Sequence, residues 1–144
     1  MAITDKQAFL TLNTSSGVLE QDIATTTSET VTTNVMDLTA PGVSGMARQI
    51  GEGRPLYLNI LVTEAVTHGS ALSVTFKLYS HSTTSVASGT EHLAITKAKA
   101  DLTLGTHIRL PVPPAEMARY VGATHTCSAS TATGGAFQIW LDIG

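Results

Sequence analysis

Five histidines (His68, His81, His92, His107 and His125) and one cysteine, Cys127, are the side chains of this chain best suited to ligation or nucleophilic chemistry. No two histidines stand at metal-ligand spacing, and neither HxH nor HExxH occurs. His107 and His125 fall in segments that read as strands and could meet on neighbouring strands. The commoner outcome is two polar-face histidines that share nothing. Glu20, Asp22, Glu64 and Glu91 are dispersed, whereas glycoside hydrolysis needs two carboxyls placed across a cleft. Gly51-Glu52-Gly53 begins like a dinucleotide fingerprint, but Leu56 holds the third glycine position and a strand follows instead of a helix. Gly42-Val43-Ser44-Gly45 is one residue too short for a nucleophile elbow. Asn13-Thr14-Ser15 has the form of a glycosylation sequon, and a polar turn is its simpler reading. A lone cysteine allows no intrachain disulfide and is usually a small buried hydrophobe. The expectation is a chain with no catalytic, metal or cofactor site, hence a binding or structural protein and not an enzyme.

The elements that would position these residues are strands. In the run from Ile50 to Ala65, a Gly-Glu-Gly-Arg-Pro turn leads into Leu56, Leu58, Ile60 and Val62 alternating with Tyr57, Asn59, Leu61 and Thr63. Side chains alternate across a strand, so the first set should face a core and the second should face outward. Leu72, Val74, Phe76 and Leu78 alternate in the same way with Ser73, Thr75, Lys77 and Tyr79, and the His68-Gly69 turn between the two runs predicts a hairpin. Further strands are expected over 31–38, around Leu93 and Ile95, over Thr106 to Leu110, and over Arg119 to Thr126. A last one runs from Phe137 to the C-terminus, with Phe137, Ile139, Leu141 and Ile143 on one face and Trp140 on the other. Pro41 to Gly53 and Ser80 to Gly89 read as loops, and Lys97 to Asp101 has room for one helical turn at most. Several short strands and no convincing helix indicate an all-β sandwich or barrel in a single domain, 1–144.

Composition bounds the partners. Charged residues make up 13% of the chain, about half the usual ~25%. Ser and Thr, roughly a quarter of the residues, take their place. Such a surface sheds water cheaply and suits extensive protein contact, although Thr is also simply at home in sheets. The net charge of −3, with scattered Lys and Arg, argues against nucleic acid, which needs a basic face. The N-terminus has no apolar stretch of signal-peptide form, and no run approaches the ~20 residues of a membrane helix. A protein made in a cytoplasm, with no membrane partner, is expected.

Val35-Met36-Asp37-Leu38, then IGEGRPLYLNILVTEA, then an alternating strand, then LPVP before Arg119-Tyr120, together resemble the Bbp16 family of capsid cement proteins from tailed phages. The similarity runs in order from about Lys6 to the C-terminus, and the Gly-x-Gly-x-Pro-Leu-Tyr phrase is its most specific part. It implies a jelly-roll sandwich on the outer surface of an HK97-like shell, self-associated and bound to the major capsid protein, with no activity or cofactor. A homodimer is the first expectation and a trimer the second. The Pro41 to Met46 loop and the segment Ser80 to His92 depart from the family pattern. Contact candidates are Arg48 and Arg54 beside the long loop, Tyr57 and Tyr79 on outward strand faces, and Phe9 in a possible N-terminal arm, 1–12. Two other readings use the same type of fold. A carbohydrate-binding sandwich of a tail or fibre would rely on Trp140. A cupin-like metalloenzyme would need clustered His and carboxylate ligands.

Overall fold

The computed structural model describes residues 10–11, 18–23, 27–38, 49–50, 55–68, 71–128 and 132–143. Its strands are β1 (Gln21–Asp22), β2 (Thr30–Val31), β3 (Met36–Asp37), β4 (Gln49–Ile50), β5 (Leu56–Thr67), β6 (Ser73–His81), β7 (Thr90–Ala98), β8 (His107–Pro111), β9 (Ala115–Glu116), β10 (Tyr120–Cys127) and β11 (Gly134–Ile143). They form one sheet in the order β1-β11-β5-β8 and a second in the order β2-β10-β6-β7, with β3 also on β10, and β4 pairs with β9 separately. Every pairing is antiparallel. The pairs are nested: β1 with β11 outermost, then β2 with β10, β5 with β8, and β6 with β7 innermost. Successive pairs belong to opposite sheets. A long hairpin rolled up in this way is a jelly roll.

The expected hairpin between the Leu56 and Leu72 strands does not form. β5 lies in the first sheet and β6 in the second, so the two strands are not ladder partners. β6 instead pairs with β7 and β10. The 31–38 strand is also revised, to the short pieces β2 and β3 laid end to end along β10. Lys99–Asp101 makes the anticipated single turn, of 3-10 type. A second such turn, Val86–Ser88, interrupts the predicted loop because Val86 is fully buried.

The period-two pattern decides the core. Leu58, Ile60 and Val62 of β5 and Phe137, Ile139 and Leu141 of β11 meet Val74, Phe76, Leu78, Val121 and Ala123 of the other sheet, all essentially without exposure. The Phe76 and Phe137 rings meet edge to face at 5.2 Å across the two sheets. Cys127 is buried, as expected. Irregular register between Gly134 and Phe137 marks a bulge, where Gly135 adopts φ +139, a region that L side chains rarely enter. Leu10 and Thr11 belong to the domain itself. The Leu10 N–H donates to the Ile139 carbonyl (2.8 Å), and Thr11 Oγ1 accepts from the Ile139 N–H (3.0 Å) while donating to the Leu19 carbonyl (2.6 Å). Both are buried and extend the cover that β1 gives to the edge of β11. The rest of the expected N-terminal arm lies outside the described residues.

Removing a buried ring forfeits both its transfer energy and its packing. Phe137→Ala should cost about 3–5 kcal/mol in urea denaturation, whereas Gln138→Ala, one residue along on the outward face, should stay within about 0.5 kcal/mol.

Candidate interaction face

The outward face of the first sheet gathers aromatic and charged side chains from three strands. Register places Asp142, Tyr57 and Pro111 in one cross-strand row, Trp140, Asn59 and Arg109 in the next, and Leu61 with Gln138 and His107 in the third. The two β8 side chains reach diagonally, by one row each. Arg109 lays its guanidinium on the Tyr57 ring (3.7 Å to the centroid) and pairs with Asp142 Oδ1 at 3.1 Å. His107 stacks on Trp140 (centroids 5.5 Å, planes 22° apart), and its Nε2 donates to Asn59 Oδ1 at 2.9 Å. Diagonal neighbours in a sheet are within reach of long side chains.

Asn59 makes this possible. It sits on the outward face of β5 yet has no exposed surface, because its short side chain leaves room for its longer neighbours to close over it. Its amide oxygen can only accept, so the hydrogen bond fixes the imidazole proton on Nε2. The Arg109–Asp142 pair is partly exposed (side chains 43% and 13%), so alone it contributes no more than about 1 kcal/mol. Its effect is to hold the guanidinium flat on Tyr57. The result is a level, pre-ordered patch of Trp, Tyr, Arg and His, with Pro111 exposed at its rim. Trp, Tyr and Arg are the residue types that most often dominate protein interfaces.

The outer face of the second sheet is polar and internally paired. Arg119 forks onto Asp37 with bonds of 3.1 and 2.9 Å and lies 4.9 Å from the Tyr120 ring centroid; the carboxylate raises the guanidinium's pKa. Lys77 pairs with Glu91 at 3.1 Å, which raises its pKa as well. Tyr79 points outward as expected but is only 7% exposed, and burial, then its hydrogen bond with Glu29, raises its pKa. Its ring therefore projects little from this face. Tyr57 remains on the outward face, half-buried beneath Arg109. Phe9, Arg48 and Arg54 lie outside the described residues. Of the face residues, sequence reading singled out Tyr57 for contacts and Trp140 for sugars; Asn59, Arg109 and Asp142 carried no signal beyond their outward parity.

Among the described residues, the histidines singled out from the sequence do not gather at one place. His107 and His125 do not meet: the first is on the outer face of β8, the second inside the sandwich on β10. Ser80 Oγ and His92 Nε2 are 2.7 Å apart, a spacing a hydrolase would use. Ser80 is only 2% exposed, however, and its oxygen already accepts the Ala118 N–H at 3.0 Å, so the pair ties β6 and β7 to the chain before β10. Burial lowers the His92 pKa. A hollow of about 280 Å³ lies beside the bulge, lined by Asp22, Ile23, Glu64, Ala132, Gly134 and Gly135. Among the described residues, no three His, Cys, Asp or Glu side chains gather as a metal site, and no helix is long and apolar enough to cross a membrane.

Fold and face together define a jelly-roll sandwich with one aromatic, pre-ordered outer face and one polar, ion-paired outer face. The chain belongs to the Bbp16 family, whose model matches residues 21–141, from β1 into β11. The matched span starts later than the Lys6 suggested by resemblance. Family membership points to a phage-related structural protein. Among curated proteins, no relative matches the chain.

The buried amide gives this face its test. Asn59→Ala should destabilise the domain by about 1–3 kcal/mol through the lost partner of His107. It should also shift the emission of Trp140, the only tryptophan, as the stacked imidazole is released.

Proposed function

We propose that this chain is a capsid cement protein, seated on the outer surface of an HK97-like phage shell and bridging neighbouring major capsid proteins. The observation that carries this reading is the family match over residues 21–141. The low charge and the pre-ordered Tyr57-Arg109-Trp140 face support it, because a rigid aromatic patch loses little side-chain entropy on docking. A bridging site exists only on the assembled shell, so binding stabilises that state by mass action. Repeated modest contacts on one lattice act at high effective concentration. The chain works as a homo-oligomer, a dimer before a trimer, with no cofactor and no catalytic role; light scattering separates the two oligomers.

A second reading, sugar binding by a tail or fibre, is favoured only by the outward Trp140. Against it, His107 already stacks on the indole and Arg109 on Tyr57, whereas a sugar platform needs open ring faces. Copy number in purified particles decides between the two. A ratio near one to the major capsid protein is expected for a shell-wide cement. A few copies per particle would move the protein to the tail and favour glycan binding, and complete absence would end the virion reading.

Particles also give a residue-level test. Arg109→Ala combined with Trp140→Ala should lower the affinity for expanded shells at least about tenfold, the scale of 1.4 kcal/mol, in a co-sedimentation assay. Unchanged binding would remove this face from the contact.

A further inference from the structure

We propose that His125 is a proton sensor built into the sandwich: its neutral ring joins the two sheets, and mild acid favours the opened chain, in which that ring can take up a proton. His125 lies on β10, the strand that carries β2, β3 and β6, and it has no exposed surface. Its ladder partners are Phe76 on β6 and Thr30 on β2. From the opposite sheet, the Phe137 ring of β11 meets its imidazole edge to face at 4.9 Å, and the same ring meets Phe76 at 5.2 Å. The imidazole thus completes a three-ring cluster that joins the sheets at their centre.

Among the described residues, the titratable groups nearest to it in the strands are these. Cys127 follows on the same face of β10, and burial pushes its thiol pKa up, so it stays neutral. Lys77, beside Phe76 on β6, and Glu29, before β2, stand on the outer face of the sheet. There Lys77 is paired with Glu91 of β7, and Glu29 accepts the Thr124 hydroxyl at 2.7 Å. An imidazolium among these rings would have to shed its hydration in an apolar site.

Burial lowers the His125 pKa from 6.5 to about 4. The unfolded chain therefore takes up a proton as pH falls below 6.5, while the folded domain does not until about pH 4. The contribution of this residue to stability is fully present above about pH 6.5 and is lost as pH falls toward about 4. The device belongs to the domain alone and does not depend on what the outer faces bind.

Urea denaturation of the isolated full chain at pH 7 and pH 4.5 tests it. The folding constant of the wild type should fall on the order of a hundredfold between these values through this residue. In His125→Leu or His125→Phe the fall should be correspondingly smaller, whereas His92→Gln should keep most of it. An NMR titration of the folded wild type should find the His125 ring neutral at pH 5. Either result overturns the proposal: variants that fold yet retain the whole acid loss, or an imidazole that titrates near 6.5 in the folded domain. If neither variant folds, the NMR titration decides.

Discussion

The β5–β11 ladder is the constraint on which the rest depends. Its register sets Ile60 opposite Ile139 and Leu58 opposite Leu141, and so fills the centre of the core. Because side chains alternate, the same register sets Asn59 opposite Trp140 and Tyr57 opposite Asp142 on the outer face. A slip of one residue would expose the core set and bury the aromatic set. Core and interaction face are therefore one specification, written in two interleaved sequences. β8 then needs only to pair with β5 for His107 and Arg109 to reach their partners.

Much of this was legible in the chain. The alternation of β5, β6 and β11 gave the fold class and the core residues, since a half-buried strand leaves a period-two record. Topology left no such record. A turn such as His68-Gly69 serves equally well between hairpin partners and between strands that change sheet, and only long-range pairing separates the two. The candidate face was half legible for the same reason. The outward parity of Tyr57 and Trp140 could be read, but their meeting with Arg109 and Asp142 joins strands far apart in sequence. Tyr79 shows the limit of parity: it points outward, as its position requires, and is covered all the same by neighbours that parity does not reveal.

The scarcity of charge acquires a structural meaning once the partners are known. Arg119 forks onto Asp37, Lys77 meets Glu91, and Arg109 meets Asp142, so these cations carry their counter-ions on the same sheet face. Such pairs add little stability at an exposed surface. They do fix long side chains in place and leave no strong local field, which lowers the electrostatic cost of covering either face with another protein. On the first sheet this self-pairing also flattens the surface, because the guanidinium lies on a ring rather than projecting from it.

The interior is governed by packing. On the outer face, Asn59 is covered and its amide oxygen accepts from His107. Inside, His125 is surrounded by Phe76 and Phe137, and its ring serves packing as long as it is neutral. A leucine or phenylalanine there would fill similar space with no dependence on protons. The sandwich therefore holds together by shape at neutral pH, and its interior includes an imidazole that the opened chain, but not the folded one, protonates under mild acid.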